Sequence, residues 1–284
     1  MLNSIFTRGI AAISLIILAA SATATERIIS AGSAVTELLV ALGNQDQLVA
    51  VDITSELPSE MELPKIGYHR NLSAEGLMSL NPTLIIGSEE MGPKNVLGQL
   101  KSSGVKINII NTTPTPEGLL ERIDSIASLT QSQNNAQALK LDIQKQIKRI
   151  ENNKSRSQRK QKVLFLLVHE GRAANVAGAN TVPDTIIALA GGINPAAQKV
   201  DSYKPLSTEA MLEMQPDVIL VSGRSLSELG GVDTIFDKMP MLAATPAGKT
   251  KKIISIDGHA IIGGLGLKSL SEAERLSKML NPTL

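Results

Sequence analysis

The 284-residue sequence has no cysteine, no tryptophan, and only two tyrosines and three phenylalanines. Without cysteine there can be no disulfide framework, no thiolate metal site and no cysteine nucleophile. The lipid-modified N-terminal cysteine that tethers exported bacterial lipoproteins is excluded as well. The shortage of rings argues against grooves that stack sugars or nucleobases, which lean on aromatic platforms, and it leaves an aliphatic core. Charge of either sign is not in excess, with 28 basic and 27 acidic residues. No nucleic acid and no acidic membrane surface is implied as a partner.

Long hydrophobic runs are missing too, with one short exception. Ile10 to Ala20 is mostly apolar and unbroken, whereas a membrane span needs about 20 residues. Arg8 is the only charge before Glu26, and Ala22-Thr23-Ala24 fits a small-residue cleavage site. The segment 1–24 reads as a secretory signal peptide cleaved after Ala24, with a buried N-terminal helix as the alternative. Its removal leaves 27 basic and 27 acidic residues. An exported and untethered chain points to the bacterial periplasm, where an outer membrane retains it.

Enzyme signatures are also lacking. The sequence has no G-x-S-x-G elbow, no Walker loop, no G-x-G-x-x-G after a strand and no H-E-x-x-H. Gly263-Gly264-Leu265-Gly266 lacks the lysine of a phosphate loop and reads as the lead-in to a helix. His69, His169 and His259 are too far apart in sequence for the short spacing of a zinc site.

What is present is a repeat. Leu72 to Ser88 reads LSAEGLMSLNPTLIIGS, and Leu206 to Ser222 reads LSTEAMLEMQPDVILVS. With no gap, Leu72, Ser73, Glu75, Pro82 and Ile85 match Leu206, Ser207, Glu209, Pro216 and Ile219 at an offset of 134 residues. Each copy has a serine start signal with an acid in the first turn, an amphipathic helix, a proline stop and an apolar β-branched run. The offset is too long for a solenoid. It implies two similar α/β lobes with a ligand cleft between them.

Around the repeat, short apolar runs alternate with helical patterns. Strands are expected at Arg27–Ser30, Leu48–Val51, Thr83–Ile86, Ile107–Ile110, Val163–Val168, Asp217–Val221 and Lys252–Ile256, and Ala173–Val176 reads as a partner of Val163–Val168. Helices follow the first strand, start near Pro93 and run through NTVPDTIIALAGG, with a terminal helix over Leu265–Leu280. Such alternation through short loops implies mainly parallel sheets. From about Pro116 to Asn152 the pattern is helical almost throughout. Its second part places Ala138, Leu141, Ile143, Ile147 and Ile150 among Lys, Gln and Glu, with neither Gly nor Pro. It is read either as a stiff inter-lobe connector or as a long amphipathic helix of the first lobe. The expected plan is a signal peptide at 1–24, an N-terminal lobe at 25–132, a connecting helix at 133–160 and a C-terminal lobe at 161–284.

Two residues stand out chemically. His169 follows a strand of six apolar residues, and in α/β sheets ligands gather at the carboxyl ends of strands. Tyr68 lies between a glycine and the first repeated helix, so it should project from a loop at the lobe's edge. A phenolate is a hard oxygen donor suited to ferric iron, and tyrosine is among the axial ligands of haem. Arg70, two residues on, could favour the phenolate or pair with a carboxylate. The plainer alternative is a surface tyrosine beside a surface arginine.

The segments GYHRNLSAEGLMSLNPTLIIGSEEMGP, VLFLLVHEGRAANVAGANT and YKPLSTEAMLEMQPDVILVSGR resemble those of periplasmic haem-binding proteins of bacterial ABC importers. The likeness runs through essentially the whole mature chain. The wider family carries siderophores and cobalamin and has two lobes joined by one long helix. The resemblance implies that Tyr68 ligates haem iron and that Arg70 stands beside it. It also implies that His169 is either a second ligand from the opposing lobe or a pocket residue. By the same resemblance, Arg224 would steady the tyrosine or a propionate. Tyr203, near the position that His69 holds in the first copy, either lines the cleft or packs its loop. Glu75 and Glu209 are expected at least to complement their helix dipoles. The resemblance adds a role for them in docking to arginines on the two subunits of an inner-membrane permease, with an outer-membrane haem receptor upstream. The expectation is a carrier rather than an enzyme. A ferric-siderophore or cobalamin carrier, and a periplasmic hydrolase lacking any candidate ligand set, are the alternatives.

Overall fold

The computed structural model describes residues 25–154, 159–168 and 173–281, so the expected signal peptide and His169 lie outside the described residues. The first lobe contains β1 (Ile28–Ala31), α1 (Ser33–Ala41), β2 (Leu48–Val51), α2 (Ala74–Met78), β3 (Leu84–Ser88), α3 (Lys94–Ser102), β4 (Lys106–Ile110) and α4 (Pro116–Thr130). The long helix α5 (Gln133–Lys154) leads out of it. The second lobe contains β5 (Val163–Leu167), β6 (Asn175–Ala177), α6 (Val182–Leu189), β7 (Tyr203–Pro205), α7 (Thr208–Glu213) and β8 (Val218–Ser222). It ends with α8 (Gly223–Leu229), α9 (Val232–Lys238), α10 (Pro246–Lys249), β9 (Ile253–Ile256) and α11 (Leu267–Leu280).

The first sheet has the order β2-β1-β3-β4 and is parallel throughout; the second has the order β7-β6-β5-β8-β9. Strands β5, β8 and β9 are parallel, and the β6 and β7 pairings are antiparallel. The repeat is therefore three strands deep. β1-β3-β4 corresponds to β5-β8-β9, and the lobes differ at the next position, where parallel β2 is replaced by antiparallel β6.

Backbone details repeat with the sequence. Ser73 Oγ accepts from the Gly76 N–H at 3.4 Å, and Ser207 Oγ accepts from the Ala210 N–H at 3.2 Å. Asn81 and Gln215, each before the matched proline, are both left-handed, with φ of 48° and 46°. The two helices are shorter than the pattern implies, at five and six residues. Proline and the left-handed residue end each after little more than one turn.

Strand parity decides where each side chain goes. Ile28, Leu84 and Ile86 of the first sheet join Val163, Phe165, Val218 and Leu220 of the second in one apolar cluster, with Ile143 and Ile150 of α5 and Leu270 and Leu276 of α11. The alternate residues face away into separate cores. Ile29, Ala31 and Ile85 form part of one, and Leu164, Leu166, Ile219 and Val221 part of the other. Full burial of each such aliphatic side chain contributes roughly 1.5–3 kcal/mol.

Helix α5 packs against α4 and α11. Its buried seam is Ala136, Ile143 and Ile150, spaced by sevens, with Leu139 and Ile147 half-buried. Ala138 and Leu141, which also belong to the apolar pattern, fall on the solvent side, where Leu141 is 57% exposed.

Polar contacts complete the junction at the glycine-rich segment before α11. Arg122 of α4 is fully buried; it donates to the backbone carbonyls of Asn111 and Thr113 at 3.2 and 3.1 Å, and to that of Leu265. Glu37 of α1 accepts from the backbone N–H groups of Leu267 and Lys268 at 2.6 and 3.2 Å, at the N-terminus of α11. A Cβ on Gly266 would collide with Glu37 Oε1, and one on Gly264 would stand 2.8 Å from Arg122 Nη1. The helix lead-in is thus also the seat where the first lobe grips the last helix.

Two expectations follow. Burial pushes the Glu37 carboxyl up to about 7, against the opposing pull of the two N–H groups, Lys268 and Arg122. The folded chain then holds this proton more tightly than the unfolded chain, so stability falls as pH rises from about 4.5 to about 7. Part of the residue is solvent-accessible, which reduces the effect to on the order of 2 kcal/mol. Chemical denaturation of wild type and Glu37→Gln across pH 4.5–8 should show this slope in the wild type and its loss in the variant. Second, the shared core and α5 resist hinge opening. Small-angle scattering of free and ligand-bound protein should differ little, and a rotation of tens of degrees would contradict a shared core.

Candidate functional site

A cleft of about 680 Å³ opens between the lobes. Tyr68, Arg70, Glu90 and Thr112 come from the first lobe, and Leu167, Tyr203 and Arg224 from the second. Pro114, Val182, Ile261 and Ile262 supply apolar wall. Strand ends and the loops after them build the site, as parallel topology dictates.

Tyr68 lies on the loop between β2 and α2, after Gly67, whose φ of +84° suits glycine. The loop is stitched down by backbone hydrogen bonds. Asn71 N–H donates to Tyr68 O at 2.8 Å, Gly92 N–H to His69 O at 3.0 Å, and Leu72 N–H to Gly92 O at 2.8 Å. This leaves Tyr68 40% exposed at the cleft. Its ring meets that of His69 at 4.6 Å between centroids, tilted by 59°.

Arg70 pairs with the Glu90 carboxylate and also interacts with the Tyr68 side chain, so both roles open to it in the sequence are in reach. Arg224, exposed at the start of α8, has no ion-pair or hydrogen-bond partner among the described residues. Among the described residues, one guanidinium in the cleft is thus engaged and one is available for a ligand anion. Tyr203 sits on edge strand β7 with its ring edge-on to Phe165, centroids 6.4 Å apart. Burial, helped by the charge of Glu90, pushes its phenol well above the usual range. It is a neutral wall residue.

Behind Tyr68 lies a polar network that sequence reasoning missed. His69 is fully buried, with Nδ1 at 2.7 Å from Asp52 Oδ2 and Nε2 at 3.6 Å from Glu90 Oε2. Asp52, also fully buried, accepts from Thr54 at 2.7 Å and Ser55 at 2.6 Å. Ser55 Oγ continues to Thr36 Oγ1 at 2.7 Å, and Thr36 to Ser30 Oγ at 2.7 Å. Burial alone would lower the imidazole, but Asp52 and Glu90 outweigh it and raise it. Burial likewise opposes ionisation of Asp52, and His69, Ser55 and Thr54 reverse that and hold it low. The proximity of His69 and Arg70 also lowers Glu90. The only sequence signals were an acid closing the run LVAV and a histidine inside GYHR; no spacing rule joins residues 52, 69 and 90.

A second inter-lobe cluster joins Glu56 to Asp257, His259 and Lys268. The Lys268 ammonium pairs with Glu56 and lies 3.4 Å from Asp257, while His259 Nδ1 is 3.0 Å from Asp257 and 3.6 Å from Glu56. Glu56, Asp257 and His259 have metal-ligand chemistry, and the lysine already offsets one of the two carboxylate charges.

Glu75 and Glu209 lie outside the cleft lining, each exposed in the first turn of its short helix. Glu209 borders a separate hollow with Val168, Met211 and Met239. A hydrogen bond to its own N–H, then one from Ser207, holds Glu209 below the usual carboxylate range. His169 lies outside the described residues; Leu167, two residues before it, lines the cleft.

Comparison with known proteins gives a consistent picture. The model of the periplasmic binding protein family matches residues 28–260. The periplasmic haem-binding protein HutB of Vibrio cholerae is 60% identical, with a TM-score of 0.86 over 91% of this chain and 100% of that one. A periplasmic haem-binding protein of Pseudomonas aeruginosa is 33% identical, with a TM-score of 0.85 over 91% and 93% of the two chains. A vitamin B12-binding protein of Vibrio parahaemolyticus is 29% identical over 72% of this chain and 74% of its own.

Proposed function

This chain belongs to the periplasmic binding protein family, and from that premise we propose that it binds haem in the cleft between its lobes and delivers it to an inner-membrane ABC importer. The observation that carries the reading is the cleft itself. A half-exposed phenol, a guanidinium without a partner among the described residues and apolar walls from both lobes meet in one space, in a chain 60% identical to a haem-binding protein. Those are the three chemistries an iron porphyrin presents: a Lewis-acidic metal, carboxylates and a flat apolar ring.

In this reading Tyr68 supplies the phenolate oxygen to ferric iron, and His169, from the opposing lobe, is the candidate sixth ligand or a pocket residue. Arg224 takes a propionate or steadies the phenolate. Arg70, tied to Glu90, fixes the rim beside Tyr68, and Tyr203 packs against the macrocycle without ligating it. The protein acts by binding and release, with no catalytic step. Export to the periplasm through a signal peptide ending at Ala24 accords with the periplasmic relatives. Cobalamin is the second reading, favoured by the 29%-identical vitamin B12-binding relative. It makes no use of a phenolate donor.

Hemin and cyanocobalamin titrations followed by visible spectroscopy separate the two. Hemin should bind with an iron–phenolate signature and cyanocobalamin should not compete. Tyr68→Phe keeps the ring and removes the oxygen. It should abolish that signature and weaken hemin binding by at least about 10-fold, the low end of what loss of support at a metal site costs. An unchanged spectrum and affinity would remove Tyr68 from the site.

Glu75 and Glu209 serve in this reading as matched contacts for the two permease subunits. Exposed ion pairs contribute about 0–1 kcal/mol to folding, and at an interface their effect is on orientation and encounter rate. Glu75→Ala with Glu209→Ala should leave hemin affinity and Tm nearly unchanged while impairing transfer to the reconstituted importer, with partial defects in the single variants. Normal transfer by the double variant would leave both acids as helix-end residues only.

A further inference from the structure

Tyr68 is half in solvent, and its side chain meets the ring of His69 and the guanidinium of Arg70, itself an exposed and flexible group. Packing alone does not fix such a side chain, yet a metal ligand must be held to within about half an ångström. The residue after it is the opposite case. His69 is fully buried, bonded through Nδ1 to Asp52, with Nε2 facing Glu90. Glu90 is shared, because its other oxygen pairs with Arg70. Asp52 is anchored in turn by Thr54 and Ser55, and through Ser55 by Thr36 of α1 and Ser30 of β1. The charged and titratable groups around the imidazole are therefore Asp52 after β2, Glu90 after β3, and Tyr68 and Arg70 of its own loop.

We infer that His69, clamped between Asp52 and Glu90, is the positioning residue for Tyr68, transmitting the rigidity of β1 and α1 to the phenol at the cleft. The inference rests on Tyr68 as the iron ligand, and it extends the site to three residues that need not touch the porphyrin. The tripeptide Tyr68-His69-Arg70 is held as a unit: the middle residue is locked into the lobe, and the third is tied to the same carboxylate that faces the second. Asp52→Asn is nearly isosteric but leaves a single oxygen for the three donors of Thr54, Ser55 and His69. Glu90→Gln breaks the shared joint at the half-exposed rim, away from the core.

The chain has only two tyrosines and no tryptophan, which makes Tyr68 directly observable. In the full-length mature protein carrying Tyr203→Phe, Tyr68 is the sole tyrosine, and its fluorescence anisotropy without ligand reports how firmly it is held. Asp52→Asn in that background should lower the anisotropy. In otherwise native protein it should speed hemin loss on the order of 10-fold, the scale of removing support from a metal ligand. In a Tyr68→Phe background the same substitution should leave the rate of hemin loss unchanged, because coupled residues act through one another. Unchanged anisotropy, or equal acceleration with and without Tyr68, would overturn the inference. If circular dichroism shows that Asp52→Asn has not folded, Glu90→Gln carries the same three comparisons. A Tyr68→Phe protein with the wild-type hemin spectrum would instead refute the ligand assignment, while the anisotropy would still decide whether His69 positions the ring.

Discussion

Both sheets turn the same parity of side chain toward one shared apolar cluster, and the rest of the structure depends on that. Leu84 and Ile86 in the first copy of the repeat, and Val218 and Leu220 in the second, occupy matched positions and face the same joint core. Their neighbours Ile85 and Ile219 face outward, each into a core of its own. A one-residue slip in either strand would send the wrong set inward. The cleft is therefore a space left beside a continuous core rather than a gap between independent bodies. Helices α5 and α11 run along that core, and Glu37 and Arg122 bind the backbone leading into α11. The walls of the site inherit their spacing from aliphatic packing.

Within that frame the first lobe buries a connected polar network behind the cleft, from Ser30 and Thr36 through Ser55 and Asp52 to His69. A buried carboxylate is costly unless every lone pair finds a donor. Asp52 finds three donors, two hydroxyls and an imidazole, whose other nitrogen faces Glu90 at 3.6 Å, beyond hydrogen-bond reach. The network lies immediately behind the one loop that brings a phenol to the cleft. A neutral hydrophobic plug would have stabilised the fold as well, but it would not tie residue 69 to residues 52 and 90 in a single geometry.

Much of this was legible in the sequence because local chemistry and tertiary role coincide. The serine caps, the proline stops and the parity of LIIGS and VILVS each follow from short-range rules. They yielded the repeat, two lobes with mainly parallel sheets and the long helix joining them. The gathering of Tyr68, Arg70, Tyr203 and Arg224 around one cleft follows from where strand ends fall in that plan. What escaped were relations with no local signature. Asp52 looks like any acid closing a strand, and His69 like a solitary histidine, until folding brings β2 and the loop after β3 together. The face of α5 was half readable. Seven-residue spacing picks out Ala136, Ile143 and Ile150, but Leu141 fits an apolar pattern equally well and lies in solvent. The glycine-rich run before α11 read only as a helix lead-in, since nothing nearby announces that Glu37 and Arg122, far off in sequence, press against it.

The chemistry missing from the cleft has a consequence of its own. No sulfur atom lies among the described residues that line it, and the chain has neither a thiol nor an indole. Iron porphyrin in an oxidising compartment generates peroxide-derived oxidants, whose usual protein targets are cysteine and methionine. A carrier built this way gives its cargo little to burn. Among the described residues phenols lie within reach, so oxidative wear should fall on the two tyrosines at the cleft, and loss of cargo rather than unfolding would be the mark of an aged molecule.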